Sequence, residues 1–174
     1  MEQTIVARYL LVYVPDLSPT EIKEFKQRFR SLEICIDNKT SEALSFMECY
    51  FCTGGMFQIN ERPRDVVPRS GSVYLVASTA YFTGVSGGLK FKVVGKDLYL
   101  HIGFSNPFLG SYKTFVRLTK DGTVTAEWPY FMLNDGSKKT DECDKYIVEL
   151  TFTDSHYSPF QRIHCRIFYN ENNA

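Results

Sequence analysis

Leu32-Glu33-Ile34-Cys35-Ile36-Asp37-Asn38, with the return stretch Ala43 to Phe51, decides the fold. Leu32, Ile34 and Ile36 alternate with Glu33, Cys35 and Asp37, so an extended chain here has one apolar and one polar side, the period of a half-buried strand. Asp37-Asn38 turns the chain, and Ala43 to Phe51 runs on to Thr53-Gly54-Gly55, which together read as a hairpin. The same rhythm recurs downstream. It appears in Ser72 to Ser78, in Leu89, Phe91 and Val93 against Lys90 and Lys92, and in Leu98 to Phe104 after the Gly95-Lys96-Asp97 turn. It resumes in Thr114 to Leu118, Lys145 to Phe152 and Gln161 to Tyr169. Short strands separated by Gly, Pro and Asp turns predict a mainly β chain built as an antiparallel sandwich or barrel.

Upstream, Ser18-Pro19-Thr20-Glu21 is a capping box with Pro at the first helical position, and Ile22, Phe25 and Phe29 follow at helical spacing. A helix over 19–30 is predicted, with a second short one over 126–133 limited by Pro129. The segment Tyr9 to Val14 favours a strand by its rings and branched residues, and Asn170 to Ala174 should fray. At 174 residues the chain reads as one domain, 1–174, with no repeat or linker.

Composition narrows the function classes. Twenty Lys and Arg balance 20 Asp and Glu, so the field of the whole protein does not favour polyanions and nucleic-acid binding is not expected. No apolar run approaches the length of a membrane-spanning helix. The start of the chain has no basic region followed by an apolar run and a small-residue cleavage pattern, so it reads as cytoplasmic as encoded, or secreted if a leader was removed. Five cysteines at irregular spacing make a poor disulfide framework, and they read as reduced and mostly buried. Asn38-Lys39-Thr40 fits the glycosylation sequon, a triplet common by chance.

Several catalytic patterns are incomplete. Gly84-Val85-Ser86-Gly87-Gly88 matches a nucleophile elbow, but that motif needs a helix after the serine, and Leu89 to Val94 has strand periodicity; the glycines read as a tight turn between strands. Cys49 and Cys52 have metal-ligand spacing without a second ligand pair, and in a strand their thiols face opposite sides. His101, His156 and His164 lie in apolar strands or a turn and read as structural. No enzyme activity, cofactor or metal is therefore expected.

The remaining signal is aromatic: 14 Phe, 11 Tyr and one Trp bring the ring content to 15%. Phe104-Ser105-Asn106-Pro107-Phe108-Leu109-Gly110-Ser111-Tyr112 and Trp128-Pro129-Tyr130-Phe131-Met132-Leu133 place rings beside turn formers, where they become candidates for surface contact. Rings attract quaternary ammonium groups and suit the membrane interface. At these residues the chain resembles the actinoporins, the sea-anemone pore-forming cytolysins, and their actinoporin-like relatives. The resemblance begins at Arg30 to Asn38 and continues through Tyr50-Phe51-Cys52-Thr53-Gly54, Val66-Val67-Pro68 and Thr83-Gly84-Val85. It reaches Ser105, Pro107 and Phe108, and covers roughly residues 30 to 169.

The resemblance implies a β-sandwich flanked by one or two short α-helices, with a phosphocholine pocket for sphingomyelin or phosphatidylcholine headgroups. Carried over by motif, the pocket comprises Thr53, Ser86, Ser105, Pro107, Tyr112, Tyr130 and Phe131, and Phe108, Leu109, Tyr112 and Trp128 touch the membrane. An oligomer on the membrane and pore formation follow from the same resemblance. The chain departs from the family in several places. Its aromatic loop is shorter and lacks paired tryptophans, Ser86 stands where Val is usual, Asn134-Asp135-Gly136-Ser137 replaces Arg-Gly-Asp, and the charge is neutral rather than basic. Pro15 and Pro19 interrupt the N-terminal region where the family has a long amphipathic helix. A carbohydrate-binding sandwich is the alternative, because sugars also stack on aromatic pockets, and fold alone does not choose between them. A hydrolase using Ser86 is the third reading.

Overall fold

A computed structural model describes residues 20, 30–57, 65–78, 82–152 and 160–171. The helix predicted over 19–30, the strand tendency of Tyr9 to Val14 and His156 lie outside the described residues, apart from Thr20, which is helical, and Arg30, which is not. Ten strands are described: β1 (Ser31–Asn38), β2 (Leu44–Thr53), β3 (Gly55–Phe57), β4 (Ser70–Ala77), β5 (Val85–Val93), β6 (Tyr99–Asn106), β7 (Lys113–Thr119), β8 (Lys138–Cys143), β9 (Tyr146–Phe152) and β10 (Phe160–Tyr169). They form two sheets, one in the order β3-β4-β1-β10-β9-β8 and the other β2-β5-β6-β7. The chain is a β-sandwich, as the periodicity and the resemblance predict.

Alternation supplies the core. Leu32, Ile34 and Ile36 of β1, Tyr74 and Val76 of β4, Val148 and Leu150 of β9, and Ile163, Cys165 and Ile167 of β10 face inward from one sheet. Leu89, Phe91 and Val93 of β5, Leu100, Ile102 and Phe104 of β6, and Val116 and Leu118 of β7 face them from the other. Phe91 meets Phe46 and Tyr74 edge-on, with ring centroids 5.5 and 6.0 Å apart. Both arrangements suit the ring quadrupoles and fill the centre of the sandwich.

The predicted hairpin of β1 with β2 does not form, because the two strands belong to different sheets. β1 pairs antiparallel with β4 and parallel with β10, while β2 pairs with β5. Two features direct this. The fully buried Asn38 turns the chain out of the first sheet, its amide nitrogen donating to the carbonyls of Glu42 at 2.8 Å and Val67 at 3.3 Å. That burial makes the Asn38 sequon a structural corner. The parallel register also sets Glu33 opposite Arg162 and Asp37 opposite Arg166, matching charges across β1 and β10.

β8 is missed by the sequence reading because Lys138-Lys139-Thr140-Asp141-Glu142-Cys143 has no apolar side; its residues alternate only between exposed and half-buried. Asp141 does the closing work there. Its carboxylate accepts the Leu118 N–H at 2.7 Å across the gap to β7 and lies 3.6 Å from Arg117, covering an edge that would otherwise be open to further pairing. At the other edge of the four-stranded sheet, on β2, Asp65 accepts the Phe46 N–H at 2.8 Å.

Candidate functional site

The site grows from the outer face of the β2-β5-β6-β7 sheet. The glycines of the 84–88 stretch do not make the tight turn expected between strands. Ser86, Gly87 and Gly88 lie inside β5, which continues to Val93, so neither the turn nor the elbow geometry is formed. Close approach explains two of the glycines in this face. A Cβ on Gly88 would sit 2.1 Å from the Ala126 carbonyl oxygen, and one on Gly103 would sit 2.5 Å from that of Pro129. Side chains there are excluded so that the segment 121–134 can lie flat on the sheet. That segment carries the short helix Trp128–Phe131, half the span predicted, with Pro129 in its first turn.

The cover is held by rings and polar groups. Trp128 is half-buried, edge-on to His101 at 5.4 Å and to Phe115 at 5.1 Å. Burial beneath it, with the Lys90 ammonium nearby, pushes the His101 imidazole down to about 4, so His101 stays neutral across the physiological range. Glu48 accepts the Ala126 N–H at 2.9 Å, and Lys90 donates to the Gly122 carbonyl at 2.8 Å. Tyr130 stands between two other rings, 5.7 Å from Tyr50 and 5.3 Å from Phe131. Its hydroxyl bonds to Cys52, which together with burial pushes the phenol up to about 12.

Where this cover ends, a cleft of about 470 Å³ opens between the end of β6, the start of β7 and the 107–111 loop. Ser105, Pro107, Leu109, Ser111, Lys113, Tyr130 and Leu133 line it. Strand register aligns its polar side: Thr53 pairs with Ser86, Ser86 with Ser105, and Ser105 with Lys113, so four strands set three hydroxyls and an ammonium in one row. The Thr53 and Ser86 hydroxyls are 3.1 Å apart. Apolar side chains stand exposed around the mouth and beside it, with Leu109 83% and Phe131 68% exposed. Phe82, 80% exposed with φ +60°, packs edge-on against Phe108 at 5.4 Å. A bulky residue held in the left-handed region while its ring faces solvent is uncommon.

The sequence-predicted residues are thus brought together in part. Ser105, Pro107, Tyr130 and Leu109 line the cleft, whereas Thr53 and Ser86 continue its hydroxyl row without lining it. Phe131 is exposed beside Tyr130 rather than in the wall, and Phe108 is exposed next to Phe82. Two rings expected at the surface, and a third on β7, are buried. Phe104 is in the core because β6 extends to Asn106, Tyr112 packs on Phe152 at 5.6 Å, and Phe115 lies under Trp128. Tyr112 therefore faces neither the cleft nor solvent, and Trp128 is turned onto the sheet. Of the cysteines, Cys49 and Cys165 are buried, Cys35 and Cys143 are half-buried and Cys52 is exposed, so burial is less general than expected.

Lys113, Ser111 and Leu133 were missed by sequence reading, as was the support of Tyr130 by Tyr50. Lys113 reaches the cleft wall through its register with Ser105 across β6 and β7, a pairing that no local pattern encodes. Tyr50 lay in plain view in the Tyr-Phe-x-x-Gly stretch, but its partner is 80 residues away.

No protein-family model matches the sequence, and no curated protein matches it. Among solved structures, the chain is similar to the crystal structure of the lipid binding protein Nakanori, with a TM-score of 0.72 and 11% sequence identity over 85% of this chain and 75% of that one. At that identity the likeness concerns the fold.

Proposed function

We propose that this chain is a peripheral lipid-binding protein that takes a phosphate-bearing headgroup, of the phosphocholine kind found in sphingomyelin and phosphatidylcholine, into the cleft beside Tyr130. The observation that carries the reading is the cleft itself. Hydroxyls and a cation on one wall, a tyrosine ring on another and exposed apolar side chains at the mouth match a headgroup that enters while its acyl region stays outside. The sandwich it shares with a lipid-binding protein, and the ordered motifs of the actinoporin-like family, support the same reading.

The apolar rim and the cleft divide the binding work. Leu109, Phe108 and Phe82 offer surface to the interface between headgroups and acyl chains, where rings and aliphatic side chains leave water. The Ser105 hydroxyl and the Lys113 ammonium donate to phosphate oxygens, and the Tyr130 ring faces the cationic base.

Sedimentation with dye-loaded sphingomyelin and phosphatidylcholine vesicles tests the proposal. Calcium-independent binding is expected. Leakage of the dye would add pore formation by an oligomer on the membrane, and retention of the dye would define a headgroup receptor. Absence of binding, together with saturable sugar-competed binding on a glycan array, would replace the proposal with the carbohydrate-binding alternative. A fluorophosphonate probe is expected to leave Ser86 unlabelled, because Ser86 is buried within β5 and bonded to Thr53.

A further inference from the structure

Resting on that reading, we propose that the cleft recognises its headgroup through the phosphate, with Lys113 as the specificity-determining residue. Phosphomonoester and other anionic phosphate headgroups then bind better than choline-bearing ones, and choline itself is dispensable. Several cations on β7 and β8, and Lys120 past the far end of β7, have a carboxylate partner. Arg117 lies 3.6 Å from Asp141, Lys120 lies 2.8 Å from Asp144, and Lys138 lies 3.5 Å from Glu149. Lys113 stands on the same strand as Arg117 yet has no carboxylate within 4 Å among the described residues. In a chain with no net charge, a cation left unmatched in a concave wall is a place where an anion gains attraction.

The neighbouring groups favour phosphate over base. Ser105 faces Lys113 directly across β6 and β7, so a hydroxyl and an ammonium converge from adjacent strands. A phosphate oxygen accepts from both, and hydrogen bonds to an ionised acceptor are the stronger kind. A quaternary ammonium has no N–H to donate and depends on ring faces. Among the described residues Tyr130 is the ring that lines the cleft, while Tyr50 and Phe131 pack against Tyr130 rather than forming further walls. A carboxylate beside the wall, Asp135, accepts from the Ser111 hydroxyl at 2.8 Å, and Lys139 donates to the Asp135 backbone carbonyl. A single ring among the described residues gives the base little to hold, whereas a hydroxyl and an ammonium on one wall both donate to a phosphate.

The test compares vesicles of phosphatidylcholine alone with the same vesicles containing phosphatidic acid, phosphatidylethanolamine, or oleate as a phosphate-free anion. Wild type, Lys113→Gln, Lys113→Arg and the remote control Lys120→Gln are measured side by side, with Trp128 fluorescence as a second readout for soluble inorganic phosphate, phosphocholine and choline. Expected are a preference for phosphatidic acid over phosphatidylcholine of about fivefold or more, its loss in Lys113→Gln, and its retention in Lys113→Arg and Lys120→Gln. Oleate should not reproduce the preference. Phosphocholine and inorganic phosphate should compete, and choline should not.

Binding to phosphatidylcholine that choline competes and Lys113→Gln leaves unchanged would overturn the phosphate proposal while leaving the lipid reading intact. Equal enhancement by oleate would also overturn it, as mere surface charge. A Lys113-dependent response to soluble phosphate without binding to any vesicle would support phosphate recognition and overturn the lipid reading. No response to phosphate or to any vesicle would overturn both.

Discussion

The outer faces of the two sheets differ far more than their inner faces do. On β1 and β10, outward side chains form a charge ladder: Arg162 bonds Glu33 at 2.6 Å, and Asp37 lies 3.0 Å from Lys39, 3.4 Å from Arg166 and 3.8 Å from His164. Nearly every charge there has an opposite neighbour. On β5 and β6, the corresponding positions are Ser86, Gly88, Lys90, His101, Gly103 and Ser105, small or polar residues over which the 121–134 segment lies. Both sheets obey the same rule of apolar inward positions, so the core alone cannot say which face has a ligand to meet. One outer face is satisfied by itself, and the other is covered up to the point where the cover ends in an open cleft.

The difference can be broken first through pH. His101 binds its proton only near pH 4 in the folded protein, against an ordinary value of 6.5, so between those values the unfolded chain holds a proton that the folded chain refuses. Its contribution is therefore fully present above the ordinary histidine value and declines as pH falls, a loss approaching about 3 kcal/mol at pH 4. Chemical denaturation from pH 7 to 4 should show this decline. His101→Gln should make the slope shallower, and an unchanged slope would remove His101 from the account. Lys90 and Asp121, the charged groups acting on it, have opposing effects.

Steric intrusion comes next. Gly88→Ala places a methyl group against the Ala126 carbonyl, which is backbone and cannot swing aside. A destabilisation of about 2 kcal/mol is expected in urea denaturation, with weakened vesicle binding because Tyr130 moves with the cover. Wild-type stability in this variant would show that the segment is not seated as described. The smallest effect belongs to the charge ladder. Arg166→Gln removes one of several cations around Asp37 at a half-exposed site, and should change stability by less than about 1 kcal/mol and vesicle binding not at all.

The fold was legible because period-two alternation survives wherever one side of a strand is buried, and Leu32, Ile34 and Ile36 show it plainly. It failed at β8, which buries little, and at the supposed β1–β2 hairpin, where a buried Asn38 diverts the chain to the other sheet. At the site, Ser105, Pro107 and Tyr130 were readable from local motifs. The burial of Tyr112 and Phe104 was not, because their environment comes from Phe152 and from the opposite sheet. Glycines at 87 and 88 looked like a turn because a turn and a close backbone approach both require the absence of a side chain, and sequence does not distinguish them.

On the proposed function, the cleft end of the β5–β6 sheet, and not the charge ladder, meets the lipid. An environment-sensitive fluorophore attached at Leu109→Cys or at Lys39→Cys tests it, both in a Cys52→Ser background that removes the exposed native thiol. With vesicles that bind the protein, the account predicts a blue shift and increased emission at position 109 and no change at position 39. A response at position 39 with none at position 109 would contradict it.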